Sequence, residues 1–364
     1  RILSWSEDET LRLWSPDGIL LSTLQGHTGS VNGALHLSDG RILSWSEDET
    51  LRLWSSVGVP LSTLEGHTGA VNSALSLPNG RILSWSRGKT LRLWTSDGAL
   101  LGTLEGHTGS VSGAIPLPHG RILSWSRDKT LRLWSSDGAP LAILAGHIDS
   151  PKGASLSDGR ILSWSFAETL PWSVEKTLRI WSPEGVLLTT FEGHTDSVEG
   201  ALPLSDGRIL SWSKDETLRL WSPDGVPLIT PDGQDDSVEG AVPLPDGRIL
   251  SWSGEKTLCL WSAEGALLAT LEGHTDAING TLPLPDGRIL SWSWDETLRL
   301  WSPEGAPTAT LRGHTHWVNG ALPLPNGRIL SWSWDETLRL WSPEGSPVAT
   351  LKGHADSING ALRL

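Results

Sequence analysis

Apolar residues along this chain come in short β-branched, leucine-rich or aromatic runs broken by polar turn-formers. In the stretch from residue 41 to 80, Arg41-Ile42-Leu43-Ser44-Trp45-Ser46 and Thr50-Leu51-Arg52-Leu53-Trp54 are separated only by the polar tip Glu47-Asp48-Glu49, which predicts a β-hairpin. Two more runs follow, residues 59–64 after a Gly turn and residues 70–77 after Gly66-His67, closed by Pro78-Asn79-Gly80. Each stretch of this kind offers four short strands. With 40 Gly and 23 Pro among 364 residues, long helices are disfavoured throughout.

The pattern repeats. Arg-Ile-Leu-Ser-Trp-Ser begins at residues 1, 41, 81, 121, 160, 208, 248, 288 and 328, so the period is 40 except for one unit of 39 and one of 48. Length alone would suggest two or three domains, but a repeat that fills the chain overrides that prior and predicts one domain spanning residues 1–364. Four short antiparallel strands cannot bury both faces of their sheet, so neighbouring units must stack, and this period suggests propeller blades.

The recurring Gly-His, then Asp-Gly or Asn-Gly, then Ser-x-Asp-x-Thr-Leu-Arg-Leu-Trp resembles the WD40 repeat, with Trp-Ser where that family commonly has Trp-Asp. The resemblance covers the whole chain. The near-identity of the units is similar to recently amplified WD40 arrays of bacteria, and a consensus design would look the same. It implies an all-β fold: a single closed β-propeller of nine four-stranded antiparallel blades. On the family's strand order a to d, the chain starts with b (residues 1–6) and c (residues 10–14) and ends with a (residues 357–364). The C-terminal strand is therefore expected to join the N-terminal blade, closing the ring and removing exposed edges. A smaller ring with leftover units is the alternative, since known rings usually have seven or eight blades.

Ser, His and Asp recurring together invite a nucleophilic triad. Catalysis needs one such set in a unique pocket, whereas here it stands in most units, and the family uses His, Ser or Thr, Asp and Trp as a structural hydrogen-bonded tetrad. Carried onto this chain, blade two has His27, Ser44 or Ser46, Asp48 and Trp54. Further sets are His107, Asp128 and Trp134; His194, Asp215 and Trp221; His274, Asp295 and Trp301; and His314, Asp335 and Trp341. Ring closure would make His354 a partner of Ser4 or Ser6, Asp8 and Trp14. Three blades depart: Gly88 replaces the acid near His67 and Trp94, Glu175 stands with His147 and Trp181, and Gln234 with Glu255 alters both partners around Trp261. Weaker or water-filled networks are expected there.

Charge changes the picture next. The 42 acidic against 28 basic residues give a net charge of −14, which opposes nonspecific attraction to nucleic acid or anionic lipid. No apolar run approaches the roughly 18 residues of a membrane span. The lone Cys259 excludes an internal disulfide and fits a reducing, cytoplasmic setting. The opening at Arg1, inside a repeat, leads us to expect a monomeric ring that is part of a longer chain. Twenty-two Trp beside no Tyr, no Met and two Phe is the composition of copying. Arg12, Arg52 and Arg92 could be read as a phosphate-binding stripe, but they lie on different blades and alternate with Leu, so pairing with carboxylates or solvent is expected. Neither Cys259 nor His314-x-His316 has the ligand spacing of a zinc site, and no cofactor is expected.

Differences between the copies are the internal clue to function. They gather at the residue preceding the tip acid, which in the family points outward on the face shared by the d–a and b–c loops. Those positions are Glu7, Glu47, Arg87, Arg127, Lys214, Trp294 and Trp334, with Val174 and Gly254 in altered blades. Blades three and four carry Arg87, Lys89, Arg127 and Lys129, whereas blades eight and nine carry Trp294 and Trp334, joined by His316 and Trp317. Such an aromatic group is either a binding hot spot or hairpin-tip packing. The expected function is a non-enzymatic scaffold for a protein or peptide. The alternatives are a glycan or small-ligand receptor and a scaffold with no dedicated ligand. The long unit inserts residues 166–173, either a surface loop or one anchored by Phe166 and Trp172, and Pro151-Lys152 in the short unit should distort its strand a.

Overall fold

The computed structural model describes residues 1–165, 175–231, 237–254 and 256–364. The insertion with Phe166 and Trp172, and also Val174, Gln234 and Glu255, lie outside the described residues. Nine four-stranded antiparallel sheets form, each ordered a-b-c-d. In blade two the strands are Val31–His36, Ile42–Ser46, Leu51–Trp54 and Pro60–Leu64. Blade one is assembled from both ends of the chain: Ile358–Arg363 pairs with Ile2–Ser6, which pairs with Leu11–Trp14 and then Leu20–Leu24. The backbone tie continues beyond the strands, with Leu364 N–H donating to the Arg1 carbonyl at 3.1 Å and Glu7 N–H to that of Ser357 at 3.1 Å. The ring is therefore closed by strand pairing.

Both faces of strands b and c are buried because each sheet is sandwiched between two others. Leu43, Leu51, Leu53 and Leu64 of blade two pack on Val71, Ala74, Ile82 and Trp94 of blade three. The seam between blades nine and one is built the same way, from Leu330, Leu338, Leu340 and Leu351 against Ile358, Ala361, Ile2 and Trp14. On the a–b and c–d side, the Arg that opens each unit reaches into the next blade, as Arg41 does to Asp97 at 3.2 Å and Arg248 to the Pro303 carbonyl at 2.6 Å. Closure pairs the inner strands only. Strand d remains an outer edge in every blade, and residues along it such as Leu21, Leu101 and Leu188 are exposed.

Strand a is irregular by rule. In blade two Val31 opposes Ser46 and Gly33 opposes Trp45, so Asn32 is an extra residue in a β-bulge. A Cβ on Gly33 would lie 2.3 Å from Trp45 Cζ2, so glycine lets the indole of strand b cover the inner strand. The bulged Asn amide donates to the neighbouring blade, as Asn32 does to the Val71 carbonyl and Asn359 to that of Val31, both at 3.0 Å. The expected distortion at Pro151-Lys152 is corrected here: Pro151–Ser155 pairs in unbroken register with Ile161–Ser165. The residue that unit lacks is the bulge itself, so its loss straightens the strand.

Candidate functional site

In seven blades the b–c hairpin brings Asp48 or its counterpart under the His of the preceding d–a loop. In blade two the Trp54 Nε1–H donates to Ser44 Oγ at 2.8 Å, and His27 Nε2 lies 2.8 Å from the same oxygen. The Asp48 carboxylate can only accept, so His27 Nδ1–H donates to it at 2.8 Å and, in the neutral ring, Nε2 accepts from the Ser44 hydroxyl. The Asp48 carboxylate also accepts from Thr28 N–H at 3.0 Å, Thr50 N–H at 2.9 Å and the Thr50 hydroxyl at 2.7 Å. Of the two serines that the repeat offers, the inner one joins the chain of bonds. Ser46 instead donates to the Gly29 carbonyl at 2.8 Å and accepts from Asp48 N–H at 3.0 Å.

The same connections link His107, Asp128 and Trp134; His194, Asp215 and Trp221; His274, Asp295 and Trp301; and His314, Asp335 and Trp341. At the seam, His354 lies 2.8 Å from Ser4 Oγ and 2.9 Å from Asp8, while Trp14 donates to Ser4 at 2.9 Å. Burial opposes ionisation of Asp8, Asp48, Asp215, Asp295 and Asp335, but the hydrogen bonds from His and Thr outweigh it and hold these carboxyls well below the usual range. Burial lowers His107, His314 and His354, with only partial compensation from their acids. Arg12, on strand c, approaches Asp8 at 3.6 Å.

Two altered blades behave differently from each other. Glu175 fills the place of the Asp: it accepts from His147 at 2.7 Å, Ser165 at 2.6 Å and Ile148 N–H at 2.7 Å, and Arg179 lies 3.3 Å away. These bonds overcome its burial and bring its pKa down to about 2. The expectation of a weakened network is thus corrected for this blade, because the longer side chain reaches the same donors. In blade three Gly88 offers no carboxylate, and His67 Nδ1 is buried with no partner among the described residues. Burial, reinforced by Arg92, takes His67 down to about 4.

These Ser–His–acid sets are poor places for chemistry. Ser4, Ser44, Ser124, Ser211, Ser291 and Ser331 are all 0% exposed, so a substrate carbonyl cannot approach the hydroxyl that already serves an indole. No group of three or more His, Cys, Asp or Glu residues that could hold a metal occurs among the described residues. Cys259 is buried.

The variable positions lie on one face, where the b–c tip meets the d–a loop. The main-chain N–H of Glu47, Arg87, Arg127, Lys214, Trp294 and Trp334 each donates to a d–a loop carbonyl, as Glu7 does, and all seven side chains are exposed. Trp294 of blade eight stacks on Trp317 with ring centres 4.7 Å apart and planes at 17°. Trp317 meets Trp334 of blade nine at 5.1 Å, and His316 stacks on Trp334 at 5.6 Å. Packing does not consume this group: Trp294 and Trp334 remain 42% and 44% exposed. Next around the ring, Glu7, Glu47, Ser30, Asn32 and Asn359 line a cleft of about 470 Å³. Burial and the nearby Asp356 and Glu47 raise the Glu7 pKa. Arg87 closes this sector by pairing with Glu47 at 3.2 Å, so aromatic, acidic and basic surfaces follow one another. Asp356 and the bulged Asn residues escape a reading that compares only hairpin tips; the recurrence of Asn at 32, 72, 279, 319 and 359 is the signal that could have found the latter.

A closed ring of radially stacked four-stranded sheets is a β-propeller. Six windows of the chain, residues 18–55, 58–95, 98–135, 185–222, 265–302 and 305–342, match the family model described as "WD domain, G-beta repeat", and the chain belongs to the WD40 family. The unmatched blades are the two altered around Glu175 and Cys259 and the one split between the termini. Among solved structures, the chain is similar to the computationally designed Ika8 protein, at 23% identity and a TM-score of 0.68 over 88% of this chain and 98% of that one. It is also similar to the WD40 β-propeller domain of Doa1, at 24% identity and a TM-score of 0.50 over 88% and 95% of the two chains. These likenesses show the fold. No curated protein sequence matches the chain. Propellers of this family are typically protein-interaction scaffolds. No helix among the described residues is long and apolar enough to cross a membrane.

Proposed function

We propose that residues 1–364 form one domain, a non-enzymatic scaffold that docks a protein or peptide on the face carrying Trp294, Trp317 and Trp334. The observation that carries this reading is the convergence of these three tryptophans, absent from the repeat consensus, across two blades with two of the rings still open to solvent. Aromatic side chains of this kind offer large contact area at little entropic cost and are enriched at binding hot spots. The acidic cleft of Glu7 and Glu47 beside them favours a cationic segment in the partner. The burial of every tetrad serine supports a role without turnover. The net charge of −14 supports partners other than nucleic acid and anionic membranes, and the single buried thiol fits a cytoplasmic monomer. The near-identity of the units fits recent copying, by amplification or by design.

Peptides selected by display against the wild-type ring test this. Replacing Trp294, Trp317 and Trp334 together by Ala should weaken the selected peptides by about 30-fold or more, the effect of losing at least one hot spot of ~2 kcal/mol. Equal affinity for both proteins removes the proposed surface. Glycan-array binding lost with Trp294→Ala and Trp334→Ala, in the absence of any peptide ligand, replaces the peptide by a sugar.

A further inference from the structure

Comparison of blade three with its neighbours isolates a place where a ligand-shaped piece of the protein is missing. In blade two one carboxylate gathers four donors: His27 Nδ1–H, Thr28 N–H, Thr50 N–H and the Thr50 hydroxyl; in blade one Arg12 also comes within 3.6 Å of the equivalent Asp8. The corresponding groups of blade three are His67, Thr68, Thr90 and Arg92, with Gly88 where the acid would stand. His67 is held as before, with Nε2 2.7 Å from Ser84 Oγ, which accepts from Trp94 at 2.8 Å. Nδ1 faces the vacated position, buried and without a partner among the described residues, and it carries the ring proton whenever Nε2 accepts from the Ser84 hydroxyl. Beside this position Thr68 is exposed and Gly88 is half-buried. The tip carries Arg87, which pairs with Glu47 at 3.2 Å, and Lys89, while Arg92 on strand c donates to the Gly66 carbonyl.

We propose that this gap in blade three is a binding site for a small free carboxylate of formate size, held by His67, Thr68, Thr90 and Arg92 in place of the absent aspartate side chain. Size selectivity follows from the geometry. A Cβ on Gly88 would already sit 2.9 Å from Ser86 Oγ and 3.1 Å from Thr68 Oγ1, so an anion that carries a methyl or longer chain at that side is crowded, whereas formate presents only hydrogen. The tip also responds to what it holds. Glu49 and Lys129 of the flanking blades sit at φ 68° and 70°, in the left-handed region, and Lys89 does not; the Asp–Thr hydrogen bonds that clamp the other turns are missing here. Binding draws this turn toward the conformation of its neighbours, so the amides of Lys89 and Thr90 report occupancy.

Sodium formate is the probe, titrated against sodium chloride at matched ionic strength, with sodium propionate as the size control. In the wild-type ring, formate should raise the melting temperature saturably beyond chloride and propionate. Over the same concentration range it should shift the His67 ring and the Lys89 and Thr90 amides in nuclear magnetic resonance spectra. Gly88→Asp supplies the carboxylate covalently and should show no specific response to formate. Formate and chloride acting alike on the wild-type melting curve and leaving the His67 ring unmoved overturns the proposal, whatever the folding of the variant. An equal formate response in Gly88→Asp also overturns it, because the anion is then bound elsewhere.

Discussion

Deleting residues 357–364 should abolish cooperative folding of the ring and drive the chain into aggregates. The segment is the inner strand of blade one. Its removal leaves Ile2–Ser6 with one unpaired edge and uncovers Ile2 and Trp14 where Ile358 and Ala361 had packed at the seam with blade nine. The ladder from Ile358 to Arg363 loses its hydrogen bonds, each worth roughly 0.5–1.5 kcal/mol net, together with the burial of several apolar side chains. The sum is comparable with the whole stability of an ordinary protein, about 5–15 kcal/mol. Exposed strand edges then pair between molecules. Size-exclusion chromatography and thermal unfolding of the truncated chain measure the outcome, and adding a synthetic peptide of residues 353–364 should recover a monomeric, cooperatively melting ring. A truncated chain that stays monomeric and melts with the full-length protein would show that closure contributes little.

Closure was legible because the repeat is out of phase with the chain. Starting at strand b and ending at strand a leaves one blade to be completed from two ends, and with nine near-identical units the choice of partner has one economical solution. The b–c hairpin was equally legible, since its two runs and acidic tip carry the local signals of strand and turn. Strand a was not. Its bulge places Asn32 outside the ladder, and nothing in the alternation of apolar and polar residues marks a residue as extra. The short unit therefore looked damaged at Pro151-Lys152, when it had lost the one residue that makes the others irregular.

At the candidate sites, position was readable and contact was not. Variation at the residue before the tip acid pointed to the common face of Glu7, Trp294 and Trp334, because a repeat makes every departure visible. Whether Trp294 would pack away or stay open depended on Trp317, which comes from a different loop and stacks on it from the neighbouring blade. The choice between Ser44 and Ser46 likewise depended on the tertiary fold: both are buried on the same strand, and the direction of Trp54 decides which one accepts its proton. Glu175 and Gly88 looked like equal departures, yet one extra methylene preserves the network while the absence of any side chain strands His67.

The tetrads also set how the ring should fail in acid. Asp8, Asp48, Asp128, Asp215, Asp295, Asp335 and Glu175 all have folded pKa values below their unfolded ones, near 3.8 for Asp and 4.5 for Glu. Their contribution to stability is complete above those unfolded values and is lost as pH falls through the folded ones. His67, His107, His147, His314 and His354 are lowered from 6.5 by burial, so they act in the same direction: the unfolded chain takes up protons first, and folding weakens as pH drops below 6.5. Two windows follow. Urea midpoints should be level between about pH 7 and 8, decline gradually from about 6.5 toward 4 as unfolded-state histidines charge, and fall steeply below about 4 as the carboxylates of seven blades compete for protons. Because one strained blade leaves its neighbours' inner faces exposed, the loss should be cooperative around the ring rather than blade by blade. Midpoints that hold constant from pH 7 to 3 would mean that the buried His–carboxylate pairs contribute no net stability, and the tetrads would then serve registry alone.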